Sequence, residues 1–252
     1  MVPIGARLLQ NYSRRKLTYQ RDKLSAIAGL ADMCAKQTGF QYVAGLWVED
    51  IGAGLMWQAT STGATRGHSP FPSWSWASTE GAILTQDFTE ADTSMIEVLK
   101  VNRDLNEYTS ATLCASTRLH VRGATIRLMI GKQSLTQPLR YHLCKGNEIF
   151  GEAFFDEAST GNFGEACGVL CLQVYLARTP DDKQECFALL LVTDVVGTGS
   201  LGTEVFKRFG IGVIWPVAKY SDGSESGTRP SHGASIANKV LERGSLRIIG
   251  KC

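Results

Sequence analysis

The glycines of Gly197-Thr198-Gly199-Ser200-Leu201-Gly202 have the clearest spacing for chemistry in this sequence. They match the Gly-x-Gly-x-x-Gly pattern of dinucleotide-binding loops and follow an apolar segment typical of a strand. That mechanism requires a helix directly after the glycines, because its N-terminal amides hold the pyrophosphate. Only seven residues separate Gly202 from Gly210, too few for a helix of ordinary length. The spacing therefore favours a loop between antiparallel strands, and a nucleotide-dependent enzyme is the alternative.

Three cysteines have a spacing that could suit zinc: Cys167-x-x-x-Cys171, with Cys186 nearby. If a hairpin turns directly after Pro180, however, Cys186 lies opposite Tyr175. That position is four residues along the strand from Cys171, or about 13 Å. One ion cannot bridge this distance, so we expect buried free thiols rather than a metal site.

Other catalytic signatures are incomplete. The sequence contains no Gly-x-Ser-x-Gly elbow, and the phosphate-binding pattern Gly-x-x-x-x-Gly-Lys fails before Gly131-Lys132 because Ile126 stands at its first glycine. The four histidines are scattered, and the pair His142-x-Cys144 is isolated; they are His68, His120, His142 and His232. We therefore assign no catalytic, cofactor-binding or metal-binding residue, and we expect a protein that is not an enzyme and carries no cofactor.

Composition limits the class of protein. The chain has 252 residues, 44% of them hydrophobic, and a formal net charge of +2, which does not favour nucleic acid as a partner. Seven cysteines, an odd number, argue against a disulfide framework and for reduced thiols inside the cell. The sequence has no signal-peptide core and no apolar stretch long enough to span a bilayer. We expect a soluble cytoplasmic protein without a membrane partner.

The first element predicted with a clear period is a helix from Asp22 to Thr38. Apolar and small residues recur there at spacings of three and four and form one face, and Gly39 supplies a C-terminal stop. The residues of that face are Leu24, Ile27, Ala28, Ala31, Cys34 and Ala35, whereas Lys23, Asp32 and Lys36 lie elsewhere. This helix is expected to pack on the core.

Two short apolar groups follow, Tyr42 to Trp47 and Leu55 to Trp57, with a turn predicted at Glu49 to Gly52. We interpret both groups as short helices whose terminal tryptophans pack against the first helix. Residues 60–68 are rich in Thr, Ser and Gly and predict a loop.

The segment Phe71-Pro72-Ser73-Trp74-Ser75-Trp76-Ala77-Ser78 predicts the first strand of a sheet, beginning at about Ser73 because prolines precede it. Side chains alternate along a strand, so Trp74 and Trp76 would share one face and form the floor of a core.

Strand patterns then dominate. Ile96 and Val98 flank a polar residue, and the runs 119–123 and 126–131 alternate between apolar and polar residues. The clearest hairpin is 169–192, with a turn at 179–182. Its alternating triplets are expected on one face: Leu172, Val174 and Leu176 on the outward strand, and Phe187, Leu189 and Leu191 on the return.

The last part of the chain predicts a strand over 205–215 with a bulge or kink at Gly210 and Gly212, and a loop over 221–233. It also predicts a helix from Ser235 to Arg243 that stops at Gly244, and a final strand from Leu246 to Ile249. The fold class expected is α+β: a helical segment, 1–67, packed by its tryptophans on a mostly antiparallel sheet domain, 68–252.

Several ordered segments resemble fungal heterokaryon-incompatibility (HET) proteins, in the region that follows the HET domain. In chain order they are Arg15-x-Leu17-Thr18, Asp22-Lys23-Leu24-x-Ala26-Ile27-x-Gly29-Leu30-Ala31, Tyr42-Val43-Ala44-Gly45-Leu46-Trp47, Leu55-x-Trp57 and Pro72-Ser73-Trp74-Ser75-Trp76-Ala77-Ser78. Phe206-Lys207-Arg208-Phe209-Gly210-Ile211-Gly212 is similar to the C-terminal strand of that family.

The resemblance implies a non-enzymatic regulatory or recognition region that takes part in self/non-self recognition and programmed cell death. Its expected partner is another protein or an upstream HET domain. No stretch of this sequence matches the HET domain itself, so the expectation is a chain that continues a missing upstream domain, and no effector residue is carried over. A degenerate fragment without independent function is a further alternative.

Overall fold

The computed structural model describes residues 3–60, 69–89, 92–102, 117–133, 140–156, 168–178, 184–193, 205–215 and 242–248. Three α-helices lie in the N-terminal part: α1 (Pro3–Ser13), α2 (Lys23–Thr38) and the single turn α3 (Ile51–Gly54). Short 3₁₀ helices cover Gln20–Asp22, Val48–Asp50 and Trp76–Ser78.

Helix α2 confirms the predicted periodic helix. Asp22 occupies its N-cap position, and Gly39 ends it in the left-handed conformation at φ 74°. The predicted apolar face is the side turned inward, with Leu24 and Ala31 buried. Lys23, which the pattern places off the apolar face, is nevertheless buried, at 4% exposed.

Residues 42–47 are a hairpin and not the short helix predicted. Strand β1 (Tyr42–Val43) pairs antiparallel with β2 (Leu46–Trp47). Ala44 and Gly45 form the turn with positive φ values of 46° and 93°. Two consecutive residues with positive φ are typical of the two-residue hairpin turn, because the twist of that turn matches the twist of the paired strands.

The helix predicted over Leu55 to Trp57 is also misplaced. The helical turn comes earlier, at Ile51–Gly54, where a turn was expected, and Leu55 N–H donates to Ile51 O at its end. The chain then enters β3 (Gln58–Ala59), which pairs antiparallel with β4 (Ile83–Leu84). Residues 61–68, which cover most of the predicted loop, lie outside the described residues.

The strand predicted from Ser73 is wrong. Ser75 N–H donates to Pro72 O, and the Ser75 hydroxyl then accepts from Ala77 N–H to cap the 3₁₀ helix Trp76–Ser78. A serine hydroxyl that bonds to a nearby backbone amide competes with the hydrogen bonds of a β-sheet. At Ser75 the local hydrogen bond forms and the strand does not. The burial inferred for the two indoles nevertheless holds, because Trp74 and Trp76 are both 0% exposed.

The remaining strands build one nine-stranded sheet. They are β5 (Thr93–Ser94), β6 (Glu97–Asn102), β7 (Arg118–Gln133), β8 (Arg140–Lys145), β9 (Glu148–Phe155), β10 (Gly168–Arg178), β11 (Gln184–Thr193), β12 (Val205–Ile214) and β13 (Glu242–Ile248). The predicted runs 119–123 and 126–131 are one continuous strand, β7. The predicted helix ending at Arg243 is wrong at its last two residues, which belong to β13, and Gly244 lies inside that strand; residues 235–241 lie outside the described residues.

Six of these strands close into a ring. Strand β7 pairs β8, β8 pairs β9, β9 pairs β12, β12 pairs β11, β11 pairs β10, and β10 pairs β7 again, every pair antiparallel. Outside this ring, β5 pairs β10, β6 pairs β7, and β13 joins β7 to β12. The pairing of β12 with β13 is parallel.

Two hydrophobic clusters occupy the two faces of the ring strands. An inner cluster receives buried residues from all six ring strands, so it fills the inside of the ring; examples are Leu128, Leu143, Phe155, Cys171, Leu190 and Ile214. An outer cluster joins strands β7, β10, β11 and β12 to the N-terminal segment, and it contains Leu172, Leu189 and the three buried tryptophans. The N-terminal segment is therefore packed on the outside of the sheet, and the α+β fold is confirmed.

A bulge corrects one detail of the predicted hairpin. Strands β10 and β11 pair as expected, but their register shifts between Gln173 and Tyr175. Val174 stays with the outer cluster, whereas Leu176 packs against the inner one, because an inserted residue reverses the alternation after it. Residues 179–183, which contain the predicted turn, lie outside the described residues.

Strand β12 contains the bulge expected near its glycines. Leu190 pairs with Gly210 and Leu191 with Arg208, so Phe209 is the extra residue. A Cβ at Gly210 would meet the Phe154 carbonyl of β9, which explains the need for glycine where these strands approach closely. The predicted domain boundary after residue 67 stays a prediction; residues on both sides of it share the outer cluster.

Candidate functional site

A buried ion pair joins β12 to the residue after β9, and its arginine also binds the N-terminal segment. Arg208 Nε donates to Asp156 at 2.8 Å, and Nη2 donates to the other carboxylate oxygen at 3.0 Å. The same guanidinium donates to the backbone carbonyls of Leu55 and Trp57 and stacks on the Trp57 ring. We call Arg208, Asp156 and Trp57 the Arg208 cluster.

The Arg208 cluster is held from both sides. Asp156 N–H donates to Phe209 O, which keeps the carboxylate beside β12, and Arg208 N–H donates to the Ser73 hydroxyl. The side chains of Arg208 and Asp156 are 0% and 2% exposed. The carboxylate neutralises the guanidinium through two hydrogen bonds, and the two carbonyls accept further hydrogen bonds from it, so the buried charge is fully compensated. Its chemical role is therefore to fix position rather than to react.

Tryptophan indoles make the second set of links. Trp57 Nε1 donates to Trp74 O at 3.0 Å, and Trp76 Nε1 donates to Gly45 O at 2.9 Å. The Tyr12 ring of α1 meets Trp76 edge to face, with centroids 5.9 Å apart. These bonds connect α1, the β1–β2 hairpin and residues 74–78.

Lys23 is a buried cation at the start of α2. Its Nζ donates to Thr79 O, and its own carbonyl accepts from the Tyr12 hydroxyl at 2.7 Å. Burial lowers the pKa of Lys23 to about 8, although Glu80 opposes this shift. A lysine with a lowered pKa is a common feature of functional sites, but here the ammonium is used to tie α2 to residue 79.

A carboxyl and a phenol meet where α3 approaches β10. Burial raises the pKa of Asp50, and a hydrogen bond to Tyr175 partly opposes that shift. Burial also raises the pKa of Tyr175, with Asp50 and Asp92 adding to it. The Tyr175 ring stacks on Phe88 at 4.0 Å between centroids, so the pair is held at the edge of the outer cluster.

The cysteines considered for zinc do not meet a metal-binding pattern in the part of the chain that is described. Cys171 and Cys186 are free, buried thiols of the inner cluster, and burial raises the pKa of both. Cys186 pairs with Leu176, one residue beyond the Tyr175 expected, because of the bulge in β10. Among the described residues, no three His, Cys, Asp or Glu side chains are grouped as metal ligands would be. Cys167 lies outside these residues.

The glycine motif 197–202 also lies outside the described residues, but the strands on either side of it are described. Strands β11 and β12 pair antiparallel, whereas the dinucleotide-binding mechanism requires a strand-helix-strand unit with parallel strands. His120 and His142 lie on β7 and β8, and His68 and His232 are not described.

Sequence patterns alone did not reveal Arg208, Asp156 or the burial of Lys23. The one available signal was Arg208 itself, a charged residue within the apolar stretch Val205 to Ile214, since unpaired charges are rare in buried strands. Its partners lie at positions 55, 57 and 156, which no local pattern connects with it.

No family model, curated protein or solved structure matches this chain. None of the helices in the described residues has the length and apolar character needed to cross a membrane.

Proposed function

We propose that this chain is a non-enzymatic recognition and regulatory region of the type that follows the HET domain in fungal heterokaryon-incompatibility proteins. It would act in the cytoplasm, in self/non-self recognition that leads to cell death. Its partner would be another protein or a HET domain.

One observation carries this proposal: the segments that resemble the family pack together. The segment 42–47 accepts the Trp76 indole at Gly45 O, and Trp57 donates to Trp74. Arg208, from the late segment 206–212, reaches the carbonyls of Leu55 and Trp57. The segments that resemble the family are far apart in sequence but bonded to one another. This supports a resemblance that extends over one folded unit, rather than one limited to separate short motifs.

The character of these contacts favours recognition over catalysis. The charged groups of the Arg208 cluster are buried and paired with each other, so they stabilise the scaffold rather than face a substrate. A nucleotide-dependent enzyme built on the glycines 197–202 is less consistent with the antiparallel pairing of the flanking strands.

The proposal can be tested by co-expressing the full chain with a HET domain in a filamentous fungus. We expect the two to copurify, and we expect compartment death after fusion with genetically different tester strains to require both. Arg208→Met should abolish the response by disrupting the scaffold, whereas Lys36→Gln, at an exposed position of α2, should preserve it. Tester-dependent death of equal strength without this chain would contradict the proposal.

The two alternatives have their own readouts. Nucleotide hydrolysis by the purified chain, lost on substitution of Gly199, would favour the enzyme. A broad, noncooperative unfolding transition of the purified chain would favour a degenerate fragment.

A further inference from the structure

Strand β7 carries basic residues on the face that is turned away from the outer cluster. Leu119 and Val121 are buried in that cluster, and the residues that alternate with them are Arg118, His120 and Arg122. Arg118 and Arg122 are exposed, and His120 is half-buried. Two guanidinium groups therefore reach solvent from one side of the sheet.

Strand β6 adds a lysine to the same side through a bulge. Glu97 pairs with Arg122 and Val98 with Val121, and the register then shifts so that Lys100 pairs with His120. Residues directly opposite each other on paired strands share a face. In a regular strand without this bulge, Leu99 would pair with His120 and share the face of Arg122. Lys100 would then lie on the opposite face. Lys100 is exposed, so the bulge presents its charge beside those of β7.

Strand β13 supplies two further arginines by register. Its backbone pairs Arg247 with His120 and Arg243 with Ala124, on the edge of β7 opposite to β6. By this register, both positions fall on the same face of the sheet as Arg118 and Arg122. We define the basic face by these register positions: Lys100, Arg118, Arg122, Arg243 and Arg247.

The charge of this face is unusual for the chain. By register, five basic positions fall on it beside one acidic residue, Glu97, whose carboxylate meets Arg122 at 3.0 Å. That is a surplus of four positive charges, compared with a net +2 for all 252 residues. The residues come from three separate stretches of sequence, so the basic face cannot be recognised from a run of basic residues in the sequence.

We infer that the basic face binds an acidic segment of a protein partner. Charge complementarity argues for an anionic occupant, because grouped positive charges attract one and fix its position. The face is three strands wide, or about 10 Å between its outer strands, which is the width of an extended peptide and its side chains. Within the described residues, the face carries no Phe, Tyr or Trp ring on which a nucleic-acid base could stack.

This inference deepens the proposed function by giving the recognition region a surface, and it depends on that proposal only for the choice of a protein as the partner. The peptide measurement below uses the purified chain and needs no HET domain. A negative result there would leave the copurification result intact, so the two can fail separately.

The test is fluorescence anisotropy of a fluorescein-labelled oligoglutamate peptide titrated with the full chain at low salt. We expect saturable binding that weakens as salt rises, since exposed charges are screened. Lys100→Gln combined with Arg118→Gln should weaken binding about tenfold, because two exposed charges that attract the peptide are removed. The matched control, Arg14→Gln with Lys16→Gln, removes the same charge from exposed positions after α1 and should leave the affinity unchanged.

Each other outcome contradicts the inference. No binding by the unchanged chain, or an equal loss in both double variants, would show that the basic face is not a specific site. Tighter binding of an oligothymidylate of equal charge, lost in the same variant, would identify nucleic acid instead. If circular dichroism shows that the first variant is unfolded, Arg122→Gln alone provides the same comparison, and unchanged affinity there would overturn the inference.

Discussion

The guanidinium carbon of Arg208 lies 3.5 Å from the centroid of the Trp57 ring, and Asp156 neutralises the same guanidinium from its edge. A cation over an indole is attracted by the ring's electron-rich face, most strongly when both are withdrawn from water. Here one charged side chain links β12, the end of β9 and the chain entering β3. The N-terminal segment and the ring should therefore unfold together.

Arg208→Met tests that link. Removing the guanidinium takes away the positive charge that neutralises the buried Asp156 carboxylate, and it removes the donor to the carbonyls of Leu55 and Trp57. We expect the free energy of unfolding to fall by about 3–5 kcal/mol, measured by urea denaturation. Arg122→Met, which breaks the exposed pair with Glu97, is the control and should cost less than about 1 kcal/mol. Equal effects of the two substitutions would show that the buried pair has no special role.

Lys23 should make stability depend on alkaline pH. Its pKa is about 8 in the folded chain and near 10.5 when unfolded, so the unfolded chain binds more protons between these values. Stability contributed by this group therefore rises as pH increases through that window, by roughly 3 kcal/mol in total. The stability contributed by Tyr12 and Tyr175 changes in the opposite direction and falls as pH rises, because burial raises the pKa of both.

The contribution of Lys23 can be isolated by subtraction. The free energy of unfolding of the unchanged chain minus that of Lys23→Met removes the tyrosine terms common to both. We expect this difference to rise between about pH 8 and pH 10.5. A flat difference would mean that Lys23 titrates normally and is not desolvated.

Gly45→Ala should be far more damaging than its backbone angle alone suggests. A Cβ there would lie 2.5 Å from Trp76 Nε1, the atom that donates to Gly45 O, at a residue with φ +93°. Gly39→Ala is the matched control, because Gly39 has φ +74° and no atom within 4 Å of the added carbon. We expect Gly39→Ala to cost about 1 kcal/mol and Gly45→Ala a further ~1–3 kcal/mol in thermal or urea unfolding. Similar costs would indicate that the indole moves aside freely.

The thiols inside the ring should resist alkylation until the chain unfolds. Burial raises the pKa of Cys171 and Cys186, and the thiolate is the reactive form. Cys34 on α2 is only partly buried and should react with iodoacetamide before Cys171 and Cys186 do, as read by mass spectrometry of the labelled peptides. Labelling of Cys171 at the rate of Cys34 in the folded chain would show that the ring opens readily.

Elements with a strong local period could be predicted from the sequence. Helix α2 follows from its apolar spacing and Gly39, and the β10–β11 hairpin from two alternating stretches. The predictions failed where apolar groups were short. Residues 42–47 are a hairpin because Ala44 and Gly45 adopt a left-handed turn, and residues 75–78 form a 3₁₀ helix because serine hydroxyls bond locally.

By itself, the sequence determined the α+β class, the helix α2, most of the strands and the burial of Trp74 and Trp76, because periodicity and aromatic content act over a few neighbouring residues. Tertiary structure alone decided the closure of the six-stranded ring, the burial of Lys23 and Arg208, and the assembly of the basic face. Those features depend on carbonyls, carboxylates and strand partners far away in the chain. They also depend on bulges, where one inserted residue reverses which side of the sheet every later side chain occupies.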